Sequence, residues 1–172
     1  MFISIDGIDG AGKSTQLDRL CSWLGQQGRD VEFVRDPGST AAGEAIRELL
    51  LDSNLEMHRR CEAMLYMAAR TQLVEQRIRP ALAAGKTVVS DRYLLANVVY
   101  QSAGDQIDPN LLWRLGEVAT EGLMPDLTIL LDLEPKVAAE RRHQPDDRME
   151  RRGIEYFRQV RRGFLEQLAQ CP

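Results

Sequence analysis

The residues best suited to chemistry lie near the start of the chain. Gly7-Ile8-Asp9-Gly10-Ala11-Gly12-Lys13-Ser14 follows the apolar run Phe2-Ile3-Ser4-Ile5 and opens a helical pattern at Leu17, Leu20, Cys21 and Leu24. Glycines, a lysine and a hydroxyl at this spacing form a phosphate-binding loop between a strand and a helix. The backbone turns tightly and aims N–H groups at a di- or triphosphate, Lys13 reaches the outer phosphates, and the Ser14 hydroxyl can ligate Mg2+. The start of the following helix adds the positive end of its dipole. A chance glycine-rich turn would lack the strand before and the helix after; here every fixed position is matched, and the expected ATP and phosphate site runs from Gly7 to Thr15.

Three further segments carry chemistry. Thr87-Val88-Val89-Ser90-Asp91 reads as a buried strand that delivers Asp91 and Arg92 at its carboxyl end. Asp91 is placed to hold Mg2+ through water opposite Ser14, and Arg92 to meet a phosphate; the competing reading of this pair is a structural ion pair. Arg35-Asp36-Pro37-Gly38-Ser39-Thr40 must be a loop, with Ser39 or Thr40 capping the next helix. Arg141, Arg142, Arg148, Arg151, Arg152, Arg158, Arg161 and Arg162 cluster late in the chain, although from Arg151 onward pairs such as Arg151 and Glu155 favour a solvated helix face. No general base is evident among these loops. A hydroxyl or water acceptor usually needs one, whereas a phosphate arrives ionised, so many arginines without a base suit transfer between two polyanions.

The elements that must position these residues follow from apolar runs and breakers. Val31 to Val34 reads as a second strand and Leu127 to Asp132 as a fourth, also buried. Helices are expected over Ala41 to Leu51, Met57 to Arg79, Leu95 to Gln101, Asp108-Pro109 to before Gly122, Glu134-Pro135 to about Arg142, and from near Glu150 onward. Pro80 should break or restart the long helix, and Gly85 should end the short piece. Cys21, Cys61, Trp23 and Trp113 are expected in the core. Short apolar strands alternating with helices predict an α/β fold in three layers, α/β/α, around a mostly parallel sheet covered on both faces, with ligands at the carboxyl ends of the strands.

The totals bound the function. At 172 residues the chain suits a single domain. A net charge of −4 argues against broad nucleic-acid binding, so an anionic ligand must be held by local arginines. No apolar run approaches a membrane span and the first residues enter a strand directly, which makes a cytoplasmic protein the expectation. The cysteines lack zinc or disulfide spacing, and His58 and His143 are isolated.

Taken together, these residues resemble the thymidylate kinase family. The resemblance rests on Phe2 to Gln16, Arg35-Asp36-Pro37-Gly38, Leu65-Tyr66-Met67-Ala68-Ala69-Arg70, Asp91-Arg92-Tyr93 followed by Tyr100-Gln101, and Asp147-Arg148-Met149-Glu150. These blocks keep the family's order over almost the whole chain. The resemblance implies ATP-dependent phosphorylation of dTMP to dTDP by a homodimeric P-loop kinase with Mg2+. Asp9 would accept from the sugar 3′-hydroxyl, and Arg35, Arg47 and Arg92 would surround the acceptor phosphate beside the Asp36 loop. Tyr66 would stack on the base and Arg70 would donate to thymine O4, where cytosine presents a donor instead. Asn97 and Gln101 would contact the pyrimidine edge, and Tyr100 would crowd the sugar 2′ position. Gly10 stands where some members carry a P-loop arginine. The transition-state arginine must then come from a lid at about 141–152 within the single domain 1–172, with Arg148 and Arg142 as candidates.

Departures from the family pattern are Asp36 in place of glutamate, Tyr66 in place of phenylalanine, and Asn97 in place of a serine. Relatives also continue past Cys171-Pro172 with a further strand, an adenine-side loop and a helix, so the resemblance implies that the family's C-terminal strand is missing. The alternatives are another P-loop nucleotide or nucleoside kinase and an inactive nucleotide-binding relative.

Overall fold

The computed structural model of the chain describes residues 1–52, 54–104, 107–141 and 153–171. Four parallel strands, β1 (Phe2–Asp6), β2 (Val31–Arg35), β3 (Thr87–Asp91) and β4 (Leu127–Leu130), form one sheet in the order β2-β3-β1-β4. The chain leaves β1 towards one edge and β3 towards the other. The two connections therefore diverge and open a crevice at the carboxyl ends of these neighbours, where α/β sheets bind ligands. Register pairs Ile5 with Asp91 and Arg35 with Asp91, so the ends of three strands lie side by side.

Helices α1 (Lys13–Gln26), α2 (Ala41–Leu51), α3 (Arg59–Leu73), α4 (Arg79–Ala83), α5 (Leu94–Ser102), α6 (Pro109–Thr120), α7 (Pro135–Glu140) and α8 (Gly153–Gln167) flank the sheet. Alternation along β1 decides which face each covers. Ile5 and Val89 pack with Leu17 and Leu24 of α1. On the other face Phe2 and Val88 pack with Met67, Leu73, Leu94 and Leu112, and α8 closes over α5 through Phe157, Val160 and Phe164. The three-layer expectation holds.

Several local expectations are revised. The two edge strands are only partly covered: Val34 on β2 is buried, but Phe33 on β2 and Leu127 on β4 are 48% and 46% exposed. The long helix begins at Arg59, where the His58 side chain accepts from the Arg60 N–H, and widens into a π-helical turn at Val74–Ile78. Pro80 supplies no N–H and its ring would clash with a carbonyl one turn earlier; the wider turn holds that carbonyl, and Pro80 follows in the first turn of α4. Trp23, Cys61 and Met64 lie exposed and Cys21 half-buried. Their helices offer the core a narrower stripe than the apolar spacing suggested. Trp113 is half-buried and donates from Nε1 to Gln167 at 2.8 Å. Asp108 and Thr40 cap α6 and α2 as expected.

Candidate active site

The loop after β1 is shaped by its glycines and tied by its lysine. Gly12 sits at φ 95°, a left-handed conformation costly for other residues, and begins α1 without a side-chain cap. The first N–H groups of α1 thus have no side-chain acceptor and remain available to an anion. Lys13 Nζ, buried, donates to the carbonyls of Gly7 and Ile8 at 3.1 and 3.0 Å and to Asp9 Oδ1 at 3.3 Å. Burial and the neighbouring Arg92 cation both depress the Lys13 ammonium below its ordinary range.

Arg92 approaches from β3. It takes φ 69°, turning the chain back immediately after Asp91, and donates to the Gly7 carbonyl at 2.9 Å and to Asp9 at 2.7 Å. Its guanidinium also lies over the Tyr100 ring at 5.0 Å and meets that hydroxyl at 3.3 Å. Burial opposes the charge of Asp9, but Arg92 and Lys13 more than offset it and hold the carboxyl well below the usual range.

These groups open onto a cleft of about 460 Å³. One wall is the phosphate loop, with Asp9, Gly10, Gly12, Lys13, Ser14 and Thr15. Arg35, Asp36, Arg47, Asp91, Arg92 and Arg141 complete the lining of the cleft. Arg47 donates to the Pro37 carbonyl at 3.2 Å, and Arg35 reaches Glu44 of α2 at 3.4 Å while its own Nε is buried without a partner. A buried oxygen of Asp91 likewise has no hydrogen-bond partner. An unsatisfied carboxylate oxygen and a hydroxyl on one cleft fit an oxygen-ligated cation, so Ser14 and Asp91 would hold Mg2+. Among the described residues no cluster of three His, Cys, Asp or Glu is grouped for a metal.

The expected base-reading residues form a separate buried layer behind this cleft. Arg70, 1% exposed, donates to Asp36 at 2.5 Å and to Asn97 Oδ1 at 2.9 Å. Asn97 Nδ2 donates to Gln101 at 2.7 Å, and Gln101 Nε2 to Glu62 at 2.7 Å. Tyr66 on α3 is half-buried, with Glu62, Arg92 and Arg47 in its electrostatic surroundings, and burial raises its hydroxyl above the usual range. Asp36 joins the two layers, since it lines the cleft and holds Arg70.

Sequence reasoning missed two participants. Glu44 anchors the β2–α2 loop by accepting from Ser39 N at 2.7 Å, and its place in the first turn of α2 was the available signal. Glu62 is fully buried on a helix face otherwise read as apolar. Arg141, the first residue of the expected lid, reaches the cleft; Arg142 and Arg148, the transition-state candidates, lie with the rest of the lid outside the described residues.

Comparison with known proteins adds an independent line. A family model described as thymidylate kinase matches residues 5–171. A thymidylate kinase of Rhodopirellula baltica is 54% identical over 166 residues, covering 96% of this chain and 68% of the relative. One of Desulforudis audaxviator is 47% identical over 176 residues, covering 100% and 79%. A crystal structure of thymidylate kinase from Ehrlichia chaffeensis superposes with a TM-score of 0.82 at 28% identity, over 99% of this chain and 87% of that one.

Proposed function

The chain belongs to the thymidylate kinase family, enzymes that pass a phosphoryl group from ATP to dTMP, and on that premise we propose how its residues divide the work. The observation that carries the assignment is the single cleft on which Lys13 and the arginines 35, 47, 92 and 141 converge. Two polyanions must be brought together there, and converging cations remove the repulsion that otherwise keeps them apart.

The ATP phosphates occupy the loop from Gly7 to Thr15, with Lys13 on the outer phosphates. The dTMP phosphate lies against Arg35, Arg47 and Arg92. Its oxygen attacks the γ-phosphorus, a new P–O bond forms, and the bond to the bridging β-γ oxygen breaks, leaving ADP. The attacking oxygen is already ionised, so no side chain need take a proton. Mg2+ at Ser14 and Asp91 would neutralise developing phosphate charge. Asp9, which holds Lys13 and Arg92 together, yields them to the two phosphates and accepts from the 3′-hydroxyl.

Tyr66 stacks on thymine, while Arg70, Asn97 and Gln101 read its edge. Arg70 Nε and Nη1 are already engaged; Nη2, whose one hydrogen bond among the described residues is a long one of 3.5 Å to the Tyr93 carbonyl, is the donor left for O4. Tyr100 guards the 2′ position. Arg141 enters the cleft from the start of the lid, and Arg142 and Arg148 follow it in sequence as transition-state candidates. Residues 1–172 act as one domain, as a homodimer in the cytoplasm. Among the described residues no helix is long and apolar enough to cross a membrane.

The test is a coupled assay with Mg2+-ATP and dTMP, dUMP, dCMP, AMP or thymidine as acceptor, run on the parent and on Lys13→Ala. The expected result is a strong preference for dTMP in the parent and a loss of at least about a thousandfold in the variant, the scale of removing a phosphate-stabilising charge. Undiminished turnover of Lys13→Ala would sink the phosphate-site assignment.

A further inference from the structure

A continuous relay of buried side chains crosses from α3 to α5. Asp36 accepts from Arg70, Arg70 donates to Asn97, Asn97 to Gln101, and Gln101 to Glu62, at 2.5, 2.9, 2.7 and 2.7 Å. Every member is at most 3% exposed. The two ends set its direction. Arginine can only donate and an ionised carboxylate can only accept, so the carboxamides between them are polarised one way, each oxygen towards Arg70 and each nitrogen towards Glu62.

We propose that Glu62 is a positioning residue for pyrimidine selection: by taking the Gln101 amide N–H, it fixes the orientation of Gln101 and, through it, which atom Asn97 presents to the base. Arg59 steadies it from the solvent side, 3.4 Å from Glu62 and with its guanidinium 5.6 Å from the centre of the Tyr156 ring. Thymine presents an acceptor at O4 and a donor at N3, and cytosine the reverse. Arg70 is a donor in any orientation, but a mobile Gln101 would let Asn97 rotate and meet either edge. With Glu62 in place, the amide oxygen of Asn97 stays on the Arg70 side, where a thymine N3–H can use its second lone pair.

This inference rests on the base-reading role proposed for Arg70, Asn97 and Gln101, and the experiment separates the two. Steady-state constants are measured with dTMP and with dCMP for the parent, Glu62→Ala, Glu62→Gln and Arg70→Ala. Glu62→Ala is expected to raise KM for dTMP about tenfold, more than it lowers kcat, and to narrow the dTMP over dCMP ratio by a similar factor, the scale of losing a buried hydrogen bond to a charged group. Glu62→Gln keeps an accepting oxygen and should return to within about twofold of the parent. A purely structural Glu62 would lower Tm in both variants and leave the acceptor ratio alone.

An unchanged KM and ratio in Glu62→Ala, or a Glu62→Gln as impaired as Glu62→Ala, overturns the inference. An unchanged ratio in Arg70→Ala overturns the base-reading layer itself. Should Glu62→Ala not fold, the side-chain NH2 signal of Gln101 in the parent, assigned by its loss in Gln101→Glu, decides: slow exchange with solvent is expected, and fast exchange overturns the relay.

Discussion

Asp9 Oδ1 lies 2.7 Å from Arg92 Nη2, and the same oxygen takes the Lys13 ammonium at 3.3 Å. One carboxylate thus joins the cation assigned to the donor phosphates with the cation assigned to the acceptor phosphate. It is an internal anion where two external ones are to bind.

The first prediction concerns that competition. Asp9→Asn removes the charge that Lys13 and Arg92 share, so the ligand-free protein should bind tripolyphosphate about tenfold more tightly, the scale of one charge-assisted contact. Kinase turnover should fall in the same variant, because the 3′-hydroxyl loses a charged acceptor. Calorimetric titration with tripolyphosphate checks the first part; equal or weaker affinity would mean that Asp9 does not compete with the ligand.

A second prediction follows from the Asp36–Arg70 pair, in which both side chains are almost fully buried. Arg70→Met leaves Asp36 as an uncompensated buried carboxylate and should cost about 3–5 kcal/mol in urea unfolding. Pairing it with Asp36→Asn removes the stranded charge, so the double variant should be more stable than Arg70→Met alone. If the two losses simply add, the pair is not coupled.

Asp6 supplies a pH dependence. Its carboxyl has no exposure and no hydrogen-bond partner, and burial pushes its pKa from 3.8 up to about 6 despite the opposing pull of Arg92 and Lys13, with Asp36 and Asp91 adding to the rise. A pKa raised by folding favours the folded state below the unfolded value and loses that contribution as pH climbs through 6. The group should therefore withdraw about 2 kcal/mol between pH 4 and pH 7. Asp6→Asn lacks this loss, so unfolding curves should show its stability relative to the parent improving over that range; a constant difference would exclude ionisation of Asp6.

Gly43 tests the loop that carries Arg35 and Asp36. A Cβ there would lie 2.8 Å from both the Gly38 carbonyl oxygen and Thr40 Oγ1, and the Gly43 N–H donates to that same hydroxyl at 2.9 Å. Gly43→Ala must push the loop away from α2. Thermal unfolding should register a loss of about 1–3 kcal/mol, and KM for dTMP should rise more than KM for ATP. Equal effects on the two substrates would detach this loop from the acceptor site.

How much of this was legible in the sequence depended on range. The phosphate loop is a local object: glycine spacing, Lys13 and Ser14 declare it within a few residues, and β3 announces Asp91 and Arg92 by its apolar run. The four strands and the caps at Thr40 and Asp108 are local in the same sense. Glu62 was not legible, because an acid on a helix face signals solvent unless its partner 39 residues away, Gln101, is known. Trp23 and Cys61 misled for a related reason: apolar spacing shows that a face can be buried, and only the packing of other helices shows whether it is. Base-reading roles for Tyr66, Arg70 and Tyr100 came from resemblance alone, since no spacing rule links an arginine on α3 to a pyrimidine.

The strand order has a consequence for how the protein is made. The strand that leads into the phosphate loop is the first to emerge from the ribosome, yet its hydrogen-bonding neighbours are residues 87–91 and 127–130. It must wait, apolar and unpaired, until residues 87–91 have been made. Long-range parallel pairing of this kind slows folding and leaves strand edges open to aggregation meanwhile, so a nascent chain stalled before Thr87 would carry every residue of the phosphate loop and still be unable to grip a nucleotide.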